Sequence, residues 1–176
     1  MCIRAAPDLI KRKSESRAYT CRCHATTYRA HALDGMTALL ATVAELNRVL
    51  EETRFLSGYD FEVTASAAGE CDLLVPFKPE LERPGGIVSG MTIMGAADVA
   101  MWLAIMTTRG TVEHWVTSDM KTAFLRAGVR EPLLCKARVL RIGRRTAYGT
   151  VETHGQSTGL LAHHVVSYAR ASEPTP

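Results

Sequence analysis

The sequence predicts an α+β fold in which about six antiparallel strands wrap around a long central helix, preceded by a shorter amphipathic helix. Three observations lead to this fold. The longest apolar run, residues 83–108, contains a single charge, Asp98, after its glycine-rich start. Segments that alternate apolar and polar residues lie before this run and fill the chain after it. With 176 residues, 47% of them hydrophobic, the chain is long and apolar enough for one core.

Charge is unevenly distributed along the chain. Residues 1–35 contain seven Lys or Arg and three Asp or Glu, a net +4, whereas the remaining 14 basic and 15 acidic residues give −1. A nearly neutral body gives no reason to expect nucleic acid as a partner. We expect residues 1–35 to be a poorly ordered basic extension, residues 36–170 a domain and residues 171–176 a tail. Whether the extension is a targeting segment, or translation begins at Met36, stays open.

Five cysteines occupy positions 2, 21, 23, 71 and 135. An odd number at wide spacing indicates reduced thiols, and therefore a cytoplasmic protein, rather than a disulfide framework. The segment Cys21-Arg22-Cys23-His24 lacks the Cys-x2-Cys spacing of zinc knuckles and no second pair of ligands follows it. We therefore expect no metal site.

The first predicted element is an amphipathic helix from residue 37 to about residue 54. Its apolar positions repeat at helical spacing, and they are Met36, Leu39, Leu40, Val43, Leu46 and Leu50. Tyr59, Phe61 and Val63 then alternate with polar residues, and residues 71–77 form a second apolar segment after a glycine-containing turn. Such a pair is typical of a β-hairpin.

The apolar run has to be weighed as a membrane span, since its 24 residues from 85 to 108 are long enough to cross a bilayer. Asp98 would then lie near the midplane at a cost of about 2.5–3.5 kcal/mol, and the flanking strands carry no topology signal. We therefore predict a helix buried in a protein core and no membrane span. Ser89 is a suitable N-cap, so the helix is expected to begin at Gly90 and to end near residue 106 or 107.

Beyond Gly110 the chain consists of four predicted strands separated by glycine-containing turns. They are residues 112–124, 131–142, 145–153 and 160–169. Short loops between consecutive strands predict an antiparallel meander. With the earlier hairpin, these strands complete a sheet of about six strands that the apolar helix would fill.

Several motifs occur in a fixed order between residues 41 and 168. A glycine-rich turn, Gly85-Gly86-Ile87-Val88-Ser89-Gly90, precedes the helix motif Ala97-Asp98-Val99-Ala100. The later motifs are Val116-Thr117-Ser118-Asp119 with Phe124-Leu125-Arg126, Ile142-Gly143-Arg144-Arg145 and Gly159-Leu160-Leu161-Ala162. In this order and spacing they resemble the hotdog-fold acyl-CoA thioesterases of the phenylacetate-pathway (PaaI-like) family.

The resemblance implies the hotdog fold and hydrolysis of acyl-CoA thioesters to free acid and CoA, without metal or organic cofactor. It also implies a homodimer or homotetramer in which the glycine-rich loop of one subunit faces the helix of its partner. Asp98 would then complete the partner's site.

The chain departs from the family ahead of the helix. Many members have His-Gly-Gly there and an Asn six residues before that His, whereas this chain has Ser89-Gly90-Met91 and Arg83.

The chemistry of thioester hydrolysis gives these residues roles. The reaction needs charge stabilisation at the carbonyl oxygen and a base or nucleophile beside the carbonyl carbon. A helix N-terminus after glycines presents free N–H groups, here those of Gly90 and Met91. Asp98 would act either as general base for water or as a nucleophile that forms a mixed anhydride. A purely structural carboxylate is the alternative.

We therefore take Asp98, Gly90 and Ser89 as candidate catalytic residues. Candidate substrate-binding residues come from the loop, the following strand and three turns, and they are Gly86, Val88, Met91, Thr117, Ser118, Arg126, Arg144 and Arg145. The hydroxyls would orient water or substrate, and the arginines would bind the phosphates of CoA. Ordinary strand hydroxyls and surface arginines are the alternatives. His163 and His164 alternate on one strand, so only one faces the core, and we assign neither to catalysis.

Three other functions fit the same fold, one of them that of a structural protein in which the sheet edge mediates assembly. A non-catalytic acyl-CoA-binding protein is favoured by the missing His-Gly-Gly. An enoyl-CoA hydratase or dehydratase usually has a His beside the acid, and none lies close to Asp98 in the sequence. The acyl group is not specified, since Gly95 and Ala97 leave space beside the helix that Trp102 would otherwise fill.

Overall fold

The computed structural model describes residues 38–171 of the chain. The expectations for the basic extension, for the Cys21–His24 segment and for the tail beyond residue 171 fall outside these residues. The proposed domain boundaries therefore stay predictions.

The first helix, α1, spans Val43–Glu52 and so begins later than residue 37. Thr42 and Glu45 fix its start with a capping box. The Thr42 backbone N–H donates to Glu45 Oε2 at 2.8 Å, and the Glu45 N–H donates to Thr42 Oγ1 at 3.4 Å. The helical spacing of Leu39 and Leu40 misled the prediction, because both side chains lie exposed ahead of this cap.

Eight strands follow the order of the chain, and all pairings between them are antiparallel. They are β1 (Glu62–Ala67), β2 (Glu70–Val75), β3 (Glu82–Arg83), β4 (Ile87–Val88), β5 (Trp115–Phe124), β6 (Leu133–Ile142), β7 (Thr146–Gly155) and β8 (Gly159–Arg170). Six of them form one sheet in the order β1-β2-β6-β7-β8-β5, and β3 pairs only with β4. The predicted sheet of about six strands is confirmed.

The predicted meander of four consecutive strands is wrong at β5. Strands β6, β7 and β8 follow one another as neighbours, but β5 pairs with β8 at the edge of the sheet. Residues 125–132 connect β5 to β6 and are longer than a tight hairpin loop. The N–H groups of Leu125 and Arg126 donate to Leu161 O at 2.7 and 3.1 Å. These bonds hold the connection against the first residues of β8.

The second helix, α2, spans Gly90–Arg109 and packs on the inner face of this sheet. It begins at the predicted residue and ends two or three residues beyond the predicted end, before Gly110, whose φ is 76°. Of the described residues, α2 alone has the length and mean hydropathy of a membrane span, but 67% of that apolar window is buried inside the protein. Its position is that of a core helix.

Candidate active site

Asp98 lies in the third turn of α2 and is half-buried. Two hydroxyl groups donate to the same carboxylate oxygen, Oδ1. The distances are 2.6 Å from Thr117 Oγ1 and 2.7 Å from the Tyr168 hydroxyl. The Tyr168 hydroxyl is also 2.8 Å from the backbone O of Asp98, so a single proton is shared between two acceptors on one residue. The carboxylate is therefore held against its own helix.

The pairing of β5 with β8 explains how these two donors meet. Thr117 stands opposite Tyr168 in the register of the two strands, so both side chains point to the face that carries α2. The register shifts between Thr117 and Asp119, which removes Ser118 from this alternation. Ser118 Oγ donates instead to Ser167 O at 3.2 Å. Of the two predicted strand hydroxyls, only that of Thr117 reaches Asp98.

Tyr168 is a candidate site residue that was not predicted from the sequence. Its side chain is 3% exposed. Burial raises the pKa of the phenol well above its ordinary value, and the negative charge of Asp98 raises it further. Tyr168 therefore remains a hydrogen-bond donor at neutral pH. The apolar alternation along β8 indicated that residue 168 faces inward, but its contact is with a residue 70 positions away.

A cavity of about 680 Å³ opens beside Asp98. It follows one face of α2 from Gly95 to Met106 and is bordered on the other side by α1, the segment after α1 and the start of β5. Its lining includes six Phe, Tyr and Trp side chains, those of Phe55, Tyr59, Phe61, Trp102, Trp115 and Tyr168. Trp102 thus borders the space expected beside Gly95, whereas Ala97 is fully buried and does not contribute to it. An apolar cavity next to a carboxylate suits an acyl group.

The glycine-rich loop is a hairpin of β3 and β4 with Pro84, Gly85 and Gly86 at its tip. The φ values of Gly85 and Gly86 are 105° and 72°, a backbone region that other residues rarely adopt. The loop is fixed on both sides, since Ser89 N–H donates to Leu81 O at 2.8 Å and Val88 N–H to Gly128 O at 2.9 Å. These bonds direct the loop into the first residue of α2.

Ser89 is the N-cap of α2. Its Oγ accepts a hydrogen bond from Met91 N–H at 3.2 Å, so this amide serves the cap. The Gly90 N–H has no acceptor within residues 38–171. Of the two predicted donors to a carbonyl oxygen, Gly90 is the free one. The Met91 side chain is 84% exposed.

The loop and the carboxylate do not share a cavity within one chain. Gly90 lines a second cavity of about 410 Å³, together with Arg83, Ile93 and Phe124. Asp98 follows Gly90 by eight residues, which is about 12 Å along a helix. Within the described residues of one chain, the two predicted catalytic groups therefore lie too far apart to contact the same carbonyl group.

The predicted arginines do not form one cluster. Arg126 lies after β5 and donates from Nη1 to Thr158 O at 3.2 Å, near the start of β8. Arg144 and Arg145 lie in the turn between β6 and β7, and Arg145 O accepts from Arg170 N–H at the far end of β8. The 10 residues of β5 separate these ends by about 33 Å.

Glu131 anchors the connection that supports the loop. Its carboxylate accepts from Thr158 Oγ1 at 2.5 Å and from the backbone N–H groups of Ser157 and Thr158 at 2.6 and 3.3 Å. These bonds, with that of the Thr158 hydroxyl the strongest, lower the pKa of Glu131 to about 2. The charged Glu131 carboxylate thereby ties the connection between β5 and β6, which includes Gly128, to the turn before β8.

His164 is fully buried, whereas His163 is partly exposed, as the alternation predicted. The His164 ring nitrogens lie 2.9 Å from Thr122 Oγ1 and 3.0 Å from Thr153 Oγ1. Burial, and to a smaller extent His163, lowers the pKa of His164 to about 4, so the ring is neutral at pH 7. Within residues 38–171, no three His, Cys, Asp or Glu side chains are grouped so as to hold a metal ion.

Residues 85–162 match the family model of the thioesterase superfamily. A Thermoplasma acidophilum protein named "Putative esterase" is 31% identical over 115 residues, which span 64% of this chain and 86% of that protein. A Silicibacter sp. TM1040 structure described as a "putative thioesterase" has a TM-score of 0.71 and 28% identity, and covers 78% of this chain and 96% of its own. The E. coli PaaI protein from the phenylacetic acid degradation operon has a TM-score of 0.66 at 17% identity, over 72% and 90%.

At 17% identity, the similarity to the PaaI structure shows a shared fold and says nothing about a shared function. The family match covers the glycine-rich loop from Gly85, α2 with Asp98, and β5 with Thr117 to the start of β8, whereas Tyr168 and the α1 side of the cavity lie outside it. The chain belongs to the thioesterase superfamily and has the hotdog fold.

Proposed function

We propose that the protein hydrolyses acyl-CoA thioesters to a free acid and CoA, as a homo-oligomer built from dimers. The family and the names of the relatives support hydrolysis of acyl thioesters as the class of reaction. The observation that carries the proposal is the half-buried Asp98 carboxylate, oriented by two hydroxyls at the wall of an apolar cavity. Each site would combine Asp98 of one subunit with the glycine-rich loop of its partner.

In the first route, Asp98 acts as a general base. It takes a proton from a water molecule, whose oxygen attacks the carbonyl carbon of the thioester. The carbonyl oxygen becomes an oxyanion, which the Gly90 N–H at the start of α2 stabilises. The C–S bond then breaks, and the thiolate of CoA leaves with the proton that Asp98 had taken.

In the second route, a carboxylate oxygen of Asp98 attacks the carbonyl carbon directly and expels the thiolate. The product is a mixed anhydride between Asp98 and the acyl group, which water hydrolyses in a second step. Single turnover in water labelled with ¹⁸O tests the second route. Label in the Asp98 carboxylate requires an anhydride whose Asp98 carbonyl is attacked by water, whereas the first route, like attack on the acyl carbonyl of the anhydride, puts the label in the released acid.

The groups that we assign to the reaction are a side-chain carboxylate and a backbone amide, so the proposed reaction requires no cofactor. The two cysteines of the described residues, Cys71 and Cys135, are buried as free thiols, and burial raises the pKa of each thiol to about 12. Such unreactive thiols suit the cytoplasmic location that we propose.

Replacement of Asp98 tests the proposal. Asp98→Asn should reduce release of CoA from a panel of short, long and aromatic acyl-CoAs by at least about a hundredfold, because it removes the base or nucleophile. Asp72→Asn, on β2 at a distance from the cavity, is the matched control and should retain activity.

Unchanged thiol release by Asp98→Asn would contradict the assignment of this residue. If the wild-type protein binds acyl-CoA tightly and releases no thiol, a non-catalytic binding protein is the better description. If chromatography shows that the protein converts an enoyl-CoA to its hydration product, the protein is instead a hydratase.

A further inference from the structure

We infer that Tyr168 is a positioning residue for the proposed hydrolysis: together with Thr117 it holds Oδ1 of Asp98 and leaves Oδ2 as the oxygen that reacts. The inference rests on the proposed function for its kinetic consequence. Its geometric basis is independent of that function, because both donors bind the same oxygen atom.

The two oxygens of Asp98 have different surroundings. Oδ1 lies within 2.7 Å of two hydroxyl oxygens, whereas Oδ2 accepts no hydrogen bond within residues 38–171. Within residues 38–171, the buried side-chain nitrogen and oxygen atoms that lack a hydrogen-bond partner are Ser66 Oγ and Arg109 Nε. Asp98 Oδ2 is not one of them, so it is without a hydrogen-bond partner among the described residues and is not buried by them. A base or nucleophile needs such an unoccupied lone pair within reach of the substrate.

Tyr168 fixes this arrangement more firmly than a surface hydroxyl would. Its ring is buried, and its single proton lies between Oδ1 and the backbone O of the same residue. Rotation of the Asp98 side chain away from the helix would break the bond to Oδ1. The tyrosine thus selects one orientation of the carboxylate, which is the preorganisation that catalysis requires.

The titratable groups that line this cavity with Asp98 come from four other segments. Tyr168 extends from β8, Glu52 from α1, Tyr59 from the segment before β1, and Glu113 and His114 from the segment before β5. Glu113 is engaged elsewhere, since Trp115 Nε1 donates to it at 3.0 Å and Arg170 lies 3.6 Å away. Among these groups, Tyr168 alone contacts the carboxylate.

The test is Tyr168→Phe, which removes the hydroxyl and keeps the ring. We expect kcat to fall roughly tenfold to a hundredfold with little change in KM, as for loss of a hydrogen bond to a charged group. A carboxylate that loses a donor binds a proton more readily. The acid limb of the pH profile of kcat should therefore move to higher pH.

Tyr148→Phe is the matched control, because Tyr148 is half exposed on β7 and does not line the cavity. It should leave kcat and the acid limb unchanged. An unchanged kcat in Tyr168→Phe overturns the inference. A lower kcat with an unmoved acid limb also overturns it, since a merely structural loss has that signature.

A second measurement does not depend on activity. The side-chain carboxyl ¹³C resonance of Asp98, identified by its absence in Asp98→Asn, is titrated in the wild type and in Tyr168→Phe. The midpoint should move to higher pH in Tyr168→Phe, and an unmoved midpoint overturns the inference. If the wild type hydrolyses no acyl-CoA and the midpoint still moves, the proposed function fails while the positioning role of Tyr168 stands.

Thr117→Val provides a second variant at an exposed position, should Tyr168→Phe unfold. It removes the other donor to Oδ1 and should move the same midpoint in the same direction, while Thr117→Ser should restore it. An unmoved midpoint in Thr117→Val would show that donors to Oδ1 do not control the carboxylate, and this too overturns the inference.

Discussion

Gly90 combines two requirements in one residue. It is the first residue of α2, with an N–H group free of any partner within the described part of the chain. It also lies under the ring of Phe124, which would be 3.2 Å from a Cβ atom at this position. The absence of a side chain therefore serves packing, and the N–H serves the proposed stabilisation of the oxyanion.

These two requirements can be separated by substitution. Gly90→Pro removes the N–H at a helix position that favours proline, and Ser89 before it has the extended conformation that proline requires, with φ −60° and ψ 137°. We expect the protein to fold and kcat to fall by about 10²–10³, the cost of one oxyanion donor. Steady-state kinetics on the best acyl-CoA substrate measures this effect.

Gly90→Ala is the control, because it adds the same Cβ beneath Phe124 and keeps the N–H. Its kcat should stay close to that of the wild type. Equal values of kcat in the two variants would show that the Gly90 amide does not contact the carbonyl oxygen.

At the scale of elements, the site depends on how closely α2 approaches the sheet. Gly149 on β7 permits this approach, since a Cβ there would lie 2.5 Å from Met101 Cε and in collision with Arg138 O. Asp98 follows the same helix, and its bonds to Tyr168 and Thr117 have lengths of 2.6–2.7 Å. A displaced helix would lengthen them.

Gly149→Ala should therefore destabilise the protein by roughly 1–3 kcal/mol, the usual cost of overpacking. Urea unfolding followed by circular dichroism gives the difference. Gly58→Ala is the control, because no atom lies within 4 Å of a Cβ at that position, and it should change stability by less than about 0.5 kcal/mol. A loss of the same size in both variants would mean that the contact with Met101 is not the cause.

At the scale of the whole molecule, the described part of the chain holds the two proposed parts of the site, Asp98 and Gly90, away from each other. Asp98 and Gly90 line separate cavities. Exposed apolar side chains, those of Met91, Phe124 and Leu125, surround the start of α2. A second copy that covers this surface would bring its own carboxylate to the loop, which is the arrangement that we propose.

Mixed oligomers test this arrangement. Asp98→Asn and Gly90→Pro should each be nearly inactive. When equal amounts are unfolded and refolded together, half of the dimers are hybrid, and each hybrid has one intact site of two. Activity should then recover to about one quarter of that of the wild type.

Each variant refolded alone controls for activity gained by refolding. If the mixture stays as inactive as its components while native mass spectrometry detects hybrids, the loop and the carboxylate act within one chain. The cross-subunit site would then be wrong.

Much of the architecture could be predicted from residues close together in the sequence. The start of α2 follows from Ser89 and Gly90, and the number of strands in the main sheet follows from their alternation, because caps and periodicity depend on neighbours within a few positions. The anomalous charge in an apolar run identified Asp98 before its contacts were known. The start of α1 was less well determined, since apolar residues at helical spacing preceded its capping box.

Only the tertiary structure decided which groups meet Asp98 and where β5 lies. Tyr168 and Thr117 contact Asp98 across 70 and 19 residues of sequence, and both contacts depend on the pairing of β5 with β8. Local alternation determines which face of a strand a side chain occupies, but not which strand lies beside it. That choice follows from how the sheet wraps the helix, and it places two hydroxyls on one oxygen of the carboxylate.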